Sequence, residues 1–399
     1  MATPDRVSRR ARAAVSAWFF LNGATFANLV PRFPEIKADL EMSNAVYGLA
    51  IAAYPAGSMI MGIAAGWFVQ RLGSARTASF AMVLVSVGVA LAGLAPSALL
   101  FAAALLLAGG MDAITDVGQN AHGLRVQRRY GRSIINTFHG TWSIGAVTGG
   151  LMATGAIALD LPRGLHLGLS ALLVAVAALV ALRFALPGRD GTDIEEEHAA
   201  VHAGTWSRRR IWIVVAALVV IGIVGALVED AGSTWAAVYL SGELGASTEI
   251  AASAYVALVA AQTVGRFLGD AVVDRLGQRI VAQLGGLLIA VGLGGALLFP
   301  SVPGTVAGFA LAGLGCATLI PAAMHEADAI PGLKPGTGLT IVAWLLRIGF
   351  LASPPLIGLI AEATAIRIGL AIVPISGALL IGFALALPRR AEGPAGRAR

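Results

Sequence analysis

The chain has 399 residues, 57% of them hydrophobic and 13% charged, with 50 glycines and a formal net charge of +6. That balance excludes an ordinary water-soluble globular domain, matches a helical membrane protein and leaves no room for a large soluble module. The single cysteine, Cys316, lies in an apolar run, which excludes an intramolecular disulfide or a redox pair and reads as packing.

A membrane span needs about 20 mainly apolar residues. In chain order, runs of that kind are predicted at 11–30, 44–68, 76–95, 98–121, 134–158 and 165–186, then at 211–239, 249–270, 280–299, 303–323, 337–360 and 365–387. The first has a basic start like a signal peptide, but it is of full span length and opens a polytopic series, so a retained first helix is expected. The strongest interruption, 187–210, carries Glu195-Glu196-Glu197 and ends in Arg208-Arg209-Arg210, which reads as a solvated linker. The expected organisation is a six-helix bundle at 1–186, a cytoplasmic linker at 187–210 and a second six-helix bundle at 211–399. Two basic turns, Gln70-Arg71-Leu72-Gly73 and Asp274-Arg275-Leu276-Gly277, lie 204 residues apart. Leu107-Ala108-Gly109 maps onto Leu311-Ala312-Gly313 with the same shift, which is the mark of an internal repeat.

Starting the first span from the cytoplasm puts 22 of the 28 arginines and lysines inside. Arg32, Lys37, Arg163 and Arg367 then fall outside, while Arg266 and Arg347 lie within spans. The positive-inside rule therefore places both termini in the cytoplasm. A pI near 10.1 invites a nucleic-acid reading, but the charge is spread over short loops at one face with no aromatic interleaving, so nucleic acid is not an expected partner.

Twelve spans, a central linker and a basic turn after spans 2 and 8 resemble the major facilitator superfamily over nearly the whole chain. Its usual loop after span 2, Gly-x-x-x-Asp-Arg-x-Gly-x-x-Arg, stands here as GWFVQRLGSAR, with Gln70 in the Asp position. Within that superfamily DVGQNAHGLRVQRRYGRSIINTFHG, GALVEDAGSTWAAVYL, VGRFLGD and GFLASPPLIG look like the YbjJ and MosC branch of bacterial proteins, which is distantly similar to sugar permeases of the fucose type. The resemblance implies an all-α membrane fold of two pseudo-symmetric six-helix bundles, with a solute site between them near the bilayer midplane. Arginine and aspartate in the loop motif make charged contacts that hold neighbouring helix ends together in one state and release them in the other. Gln70, Arg71, Asp270, Asp274 and Arg275 are the expected cytoplasmic gate; the plainer reading of the arginines is positive-inside anchoring. Asp270 and Arg266, spaced i and i+4, also suit mutual neutralisation.

Ionisable groups inside spans are costly, so they mark function unless they are paired away. Asp112, Asp116 and Asn120 follow at i+4 spacing on one face of span 4. His139 lies at a matching depth in span 5, within reach of Asp116. A carboxylate beside an imidazole is suited to taking up and releasing a proton, so Asp112, Asp116 and His139 are the expected proton-coupling residues. The alternative is a structural Asp-His bond joining spans 4 and 5. Glu229, Asp230 and Trp235 in span 7 suit a hydroxylated or cationic solute, in a helix that relatives often break there. Trp235 and Tyr239 equally suit an aromatic belt at the membrane interface. Arg347, near the middle of span 11, needs a substrate anion, water or an internal acid such as Glu229 or Asp112. Asn22, Asn120, Trp142 and Trp344 complete the expected substrate residues, and Tyr54 and Gln262 would add hydrogen bonds.

No phosphate-cradling Gly-x-x-x-x-Gly-Lys-Ser/Thr sequence occurs, so ATP hydrolysis is excluded and no cofactor is expected. The six histidines lack metal-ligand spacing apart from His198 and His202 in the linker, where a solvated face is the simpler reading. Drug antiporters of the superfamily usually carry Gly-Pro in span 5 and an arginine in span 4; both are missing, which favours symport. The sequence thus points to a non-enzymatic, monomeric bacterial inner-membrane carrier that imports a small polar organic solute, sugar- or cyclitol-like, with protons by alternating access. A proton-driven drug or metabolite exporter is the alternative, and a non-transporting membrane sensor with the same fold is a further one.

Overall fold

The computed structural model describes residues 5–130, 134–187, 207–328, 330–333 and 337–387, without the side chains of Asn136 and Asp270. The Asp270 gate carboxyl, the His198 and His202 pair and most of the expected linker therefore lie outside the described residues.

Every expected span is helical. Helix α1 covers Arg6–Ala27 and continues through a 3-10 turn, Val30–Arg32, into the short α2, Phe33–Asp39. Then come α3 (Asn44–Leu72), α4 (Ser74–Gly93), α5 (Ala98–Tyr130), α6 (Ile135–Ala158), α7 (Arg163–Leu182), α8 (Arg208–Gly242), α9 (Thr248–Leu276) and α10 (Gln278–Leu298). The last three spans are each built from two pieces: α11 (Val302–Cys316) with α12 (Leu319–Asp328), α13 (Thr337–Leu345) with α14 (Arg347–Ala363), and α15 (Ile366–Leu370) with α16 (Ile372–Phe383). Two of the breaks follow from proline, which has no N–H to bond the carbonyl four residues back. Pro321 leaves the Ala317 carbonyl at the α11–α12 break, and Pro374 leaves that of Leu370 beside the α15–α16 break. The third break, at Leu346, puts Arg347 at the first residue of α14 and not inside a continuous helix. Conversely, α8 runs unbroken for 35 residues, where the resemblance had implied a break. Helices dominate because lipid offers backbone N–H and C=O groups no partner, so each span must satisfy its own.

Among the described residues, eleven helical stretches are long and apolar enough to cross a membrane, split helices taken as one. The twelfth, α6, has 24 residues but is diluted by His139, Ser143, four threonines and several glycines. Large apolar side chains face outward, Ile63 at 85% exposure and Leu99 at 78%, as expected where the surrounding solvent is hydrocarbon.

The repeat is visible in the backbone. Helices α3 and α4 are joined by Gly73 alone, at φ 85°, and α9 and α10 by Gly277 alone, at φ 84°. Only glycine takes that left-handed conformation without strain, which is why both basic turns end in it. One close approach also recurs 204 residues on: a Cβ on Gly109 would stand 1.9 Å from the Tyr54 carbonyl oxygen, and one on Gly313 2.2 Å from that of Leu258.

The chain falls into two compact units. One contains α1–α7 with residues 245–256, and the other contains α8 to Leu244 and the chain from residue 257 onward. The first nine residues of α9, about two and a half turns, therefore group with the first unit. In the first unit α5 packs on α3 and α4, and α1 on α6 and α7. Trp18, Phe19, Phe138, Val174 and Ala178 form its core, with the Trp18 indole donating to the Ala178 carbonyl at 3.3 Å. In the second unit α8 is central, against α11, α12, α14 and α16. Its Gly222 and Gly225 face Leu346 and Ile320, beside two of the helix breaks.

Candidate functional site

In the first unit a close seam between α1 and α6 sets the geometry. A Cβ on Gly23 would stand 2.1 Å from the Trp142 carbonyl oxygen, and one on Gly145 2.1 Å from that of Phe20. Small residues let the two backbones approach, which brings the neighbouring Asn22 against Trp142. The Trp142 indole Nε1 donates to Asn22 Oδ1 at 2.7 Å, and Asn22 Nδ2 donates to Asp112 Oδ1 at 2.6 Å. The Tyr54 hydroxyl on α3 is a further hydrogen-bond partner of the Asp112 carboxyl. Four helices thus converge on one half-buried carboxylate, and Asn22 is 8% exposed. Of the expected residues, the structure joins Asp112, Asn22, Trp142 and Tyr54.

The other acid of the span 4 stripe is held differently. Asp116 is exposed, and its Oδ1 accepts from Asn120 Nδ2 at 2.9 Å and Gln119 Nε2 at 3.3 Å. These partners belong to its own helix, so among the described residues Asp116 is not held by His139. The His139 ring instead meets Phe19 edge-on, with centroids 5.1 Å apart. Periodicity identifies the face, but which residue of that face finds a partner depends on neighbouring helices.

In the second unit Glu229 Oε2 accepts from Gln262 Nε2 at 2.6 Å and pairs with Arg266 Nη2 at 3.3 Å. Gln262 also approaches Cys316 Sγ, at 3.8 Å. Arg266 was not an expected site residue, and its expected neutralising partner was Asp270. The sequence signal was the charge itself, since an arginine within a span requires a counterion. Asp230 is buried, and its backbone carbonyl accepts from the Thr234 hydroxyl at 2.8 Å. Its Oδ2 has no hydrogen-bond partner among the described residues. Trp235 and Tyr239 are both 0% exposed, so they pack inside the protein and not as a lipid-facing belt. Arg347 is half-buried at the α13–α14 break, and Trp344, one turn earlier, is 52% exposed.

The expected gate residues lie at helix ends. Gln70 and Arg71 are exposed in the last turn of α3, where the Arg71 guanidinium sits 5.6 Å from the centre of the Trp67 ring. Asp274 and Arg275 are exposed in the matching turn of α9. At the opposite end of the first unit the expected outer arginines are unexpectedly drawn in. Arg32, 5% exposed, donates to Glu35 at 2.9 Å and to the Leu161 carbonyl at 2.8 Å, and Arg163 pairs with Asp39 at 2.7 Å and Glu35 at 3.2 Å. A cavity of about 300 Å³ lined by Arg32, Glu35, Asp160 and Arg163 opens there, and its lining includes neither Asp112 nor Asn22. Among the described residues no cluster of His, Cys, Asp and Glu is arranged to hold a metal.

Residues 15–251 and 230–399 each match the sequence profile of the Major Facilitator Superfamily. The chain is 29% identical to the uncharacterized transporter y4wD of Sinorhizobium fredii over 369 residues, covering 92% of this chain and 95% of that one. It is 27% identical to the membrane protein MosC of Rhizobium meliloti over 380 residues, covering 95% and 91%. Among solved structures, the nucleoside transporter NupG superposes with a TM-score of 0.73 at 13% identity, over 96% of this chain and 99% of that one. A D-xylose-proton symporter superposes with a TM-score of 0.70 at 16% identity, over 96% and 98%. The chain belongs to the Major Facilitator Superfamily and is a multi-pass membrane transporter.

Proposed function

We propose that this transporter imports a small polar organic solute, sugar- or cyclitol-like, together with protons by alternating access. It acts as a monomer in the bacterial inner membrane with both termini in the cytoplasm. The observation that carries this reading is the Asp112, Asn22, Trp142 and Tyr54 network, in which side chains from α1, α3 and α6 meet one half-buried carboxyl on α5. A carboxylate at that depth is expensive unless it has work to do or partners to hold it. An amide, an indole N–H and a phenol around one acid offer the alternating donors and acceptors that a hydroxyl-rich solute needs, and the indole face offers an apolar wall for a sugar ring. Fold neighbours include a nucleoside transporter and a D-xylose-proton symporter, both handling polyhydroxylated solutes, which agrees with that class.

In this scheme Asp112 carries the proton, with Asp116 and His139 on the route to the cytoplasm. Glu229, Asp230, Trp235, Trp344, Arg347 and Asn120 contact the solute along its path. The Arg71 and Arg275 turns, with Gln70, Asp270 and Asp274, form the cytoplasmic latch of bundles at 1–186 and 211–399 joined by the linker at 187–210. Right-side-out vesicles given an inward proton gradient and a panel of labelled sugars, cyclitols and organic acids test the reading. It expects accumulation of at least one compound that collapses with an uncoupler. Outward pumping would make the protein an exporter, and binding without flux would make it a sensor; either outcome overturns the proposal.

A further inference from the structure

The hydrogen bonds around Asn22 fix the direction of its side-chain amide. An indole N–H can only donate, so the Asn22 atom facing Trp142 is its oxygen. The Asn22 atom facing Asp112 is then the amide nitrogen, and Asp112 Oδ1 is the acceptor. The usual ambiguity between the two ends of an asparagine amide is thereby resolved by the chemistry of its neighbours. At 2.6 Å the Asn22 to Asp112 contact is close for an N–H···O bond. Both ends of one amide are therefore committed, one to the acid and one to the indole.

We infer that Asn22 is the positioning residue through which a proton on Asp112 and an acceptor oxygen of the solute at Trp142 sense each other. The inference rests on the proposed proton-coupled reading and adds the means of coupling. A proton on Asp112 removes the charge that strengthens the Asn22 contact, and the amide loosens. Because the amide is a rigid plane, it cannot move at Asp112 without giving ground at Trp142. The indole N–H is then free to donate to a hydroxyl, carbonyl or carboxylate oxygen on the solute. The reverse holds by linkage: a solute that takes the indole N–H releases Asn22 from Trp142 and makes the neutral carboxyl easier to form. The sign of this coupling is positive, so proton and solute favour each other and travel in the same direction.

The ionisable groups facing Asp112 from the packed helices are few. Tyr54 on α3 bonds it, Asp116 lies one turn along α5 itself, and α6 carries His139, whose ring meets Phe19. Helix α1 contributes Asn22, its arginines lying at Arg12 and before, and α4 has only Arg76 in its first turn.

The test needs only the proton as probe. Ultraviolet resonance Raman spectra of the purified full-length protein, taken as wild type minus Trp142→Phe, isolate the hydrogen-bond-sensitive indole band of Trp142. The expected result is a band that shifts between mildly acidic and mildly alkaline buffer in the wild type. The shift should vanish in Asn22→Ala and in Asp112→Asn, the latter keeping side-chain size should the alanine variant fail to fold. A Trp142 band indifferent to pH in the wild type, or one that still shifts in Asn22→Ala, overturns the inference. Band switching without proton-driven uptake would instead count against the importer reading and leave the Asn22 relay standing.

Discussion

Removing one partner of the Glu229–Arg266 pair leaves the other charge stranded inside the second unit. For a fully buried pair that costs about 3–5 kcal/mol. Here the Glu229 and Arg266 side chains retain 18% and 29% exposure, so water recovers part of the loss. Glu229→Gln keeps a hydrogen-bonding partner for Gln262 but cancels the charge facing Arg266, and about 2 kcal/mol is the expected cost. Arg266→Gln should cost a similar amount by stranding the carboxylate. The double variant removes both charges and should recover about 1–2 kcal/mol relative to the sum of the two singles, the sign expected of directly coupled groups. In thermal unfolding of the detergent-purified protein, each single should lower Tm by about 2–3 °C, with the loss in the double clearly smaller than the sum of the two singles. Strictly additive losses, or singles within about 1 °C of wild type, would refute the pairing as a stabilising contact.

Gly109→Ala and Gly313→Ala should each force two helices apart by more than 1 Å, at about 2–3 kcal/mol, because their Cβ atoms would stand 1.9 and 2.2 Å from backbone oxygens. Gly66→Ala, with nothing within 4 Å, is the control and should be neutral or slightly stabilising; equal losses at all three would contradict the seams. Arg347→Gln should weaken binding most for anionic or polyhydroxylated compounds in a thermal-shift panel, and uniform loss across the panel would make the arginine structural. The Ser8 side-chain and backbone hydrogen bonds, with Arg129 at 2.9 Å, hold the Asp5 carboxyl well below the usual carboxylate range. A depressed acid contributes stability above its ordinary value and loses it only as pH falls through the lowered one. Asp5→Ala should therefore destabilise the start of α1 equally at pH 5 and pH 8; a difference between those two would show that the cap is not ionised as described.

The spans, the basic turns and the repeat are legible in the sequence because each is a local pattern of apolar length, charge and glycine. Two helix breaks were also within reach, since Pro321 and Pro374 each deny a carbonyl its partner four residues back. The break at Leu346 carries no such residue, Phe350 standing four positions on. The site was half legible. The i+4 stripe named Asp112 and Asp116 together, but only the approach of α1 and α3 distinguishes them, through Asn22 and Tyr54. The Glu229–Arg266 pair spans 37 positions and the Arg163–Asp39 pair 124, separations at which no periodicity reports which charges meet. Pairing drew Arg32 out of the solvent face where a count of loop charges had left it.

The most direct measurement of the central claim is proton movement itself. Purified protein in liposomes enclosing a pH-sensitive dye is given a solute that passes the vesicle screen, with no imposed gradient. The account predicts internal acidification on solute addition in the wild type, and none in Asp112→Asn even though that variant still binds. Solute entry without acidification, or acidification undiminished by Asp112→Asn, would contradict it.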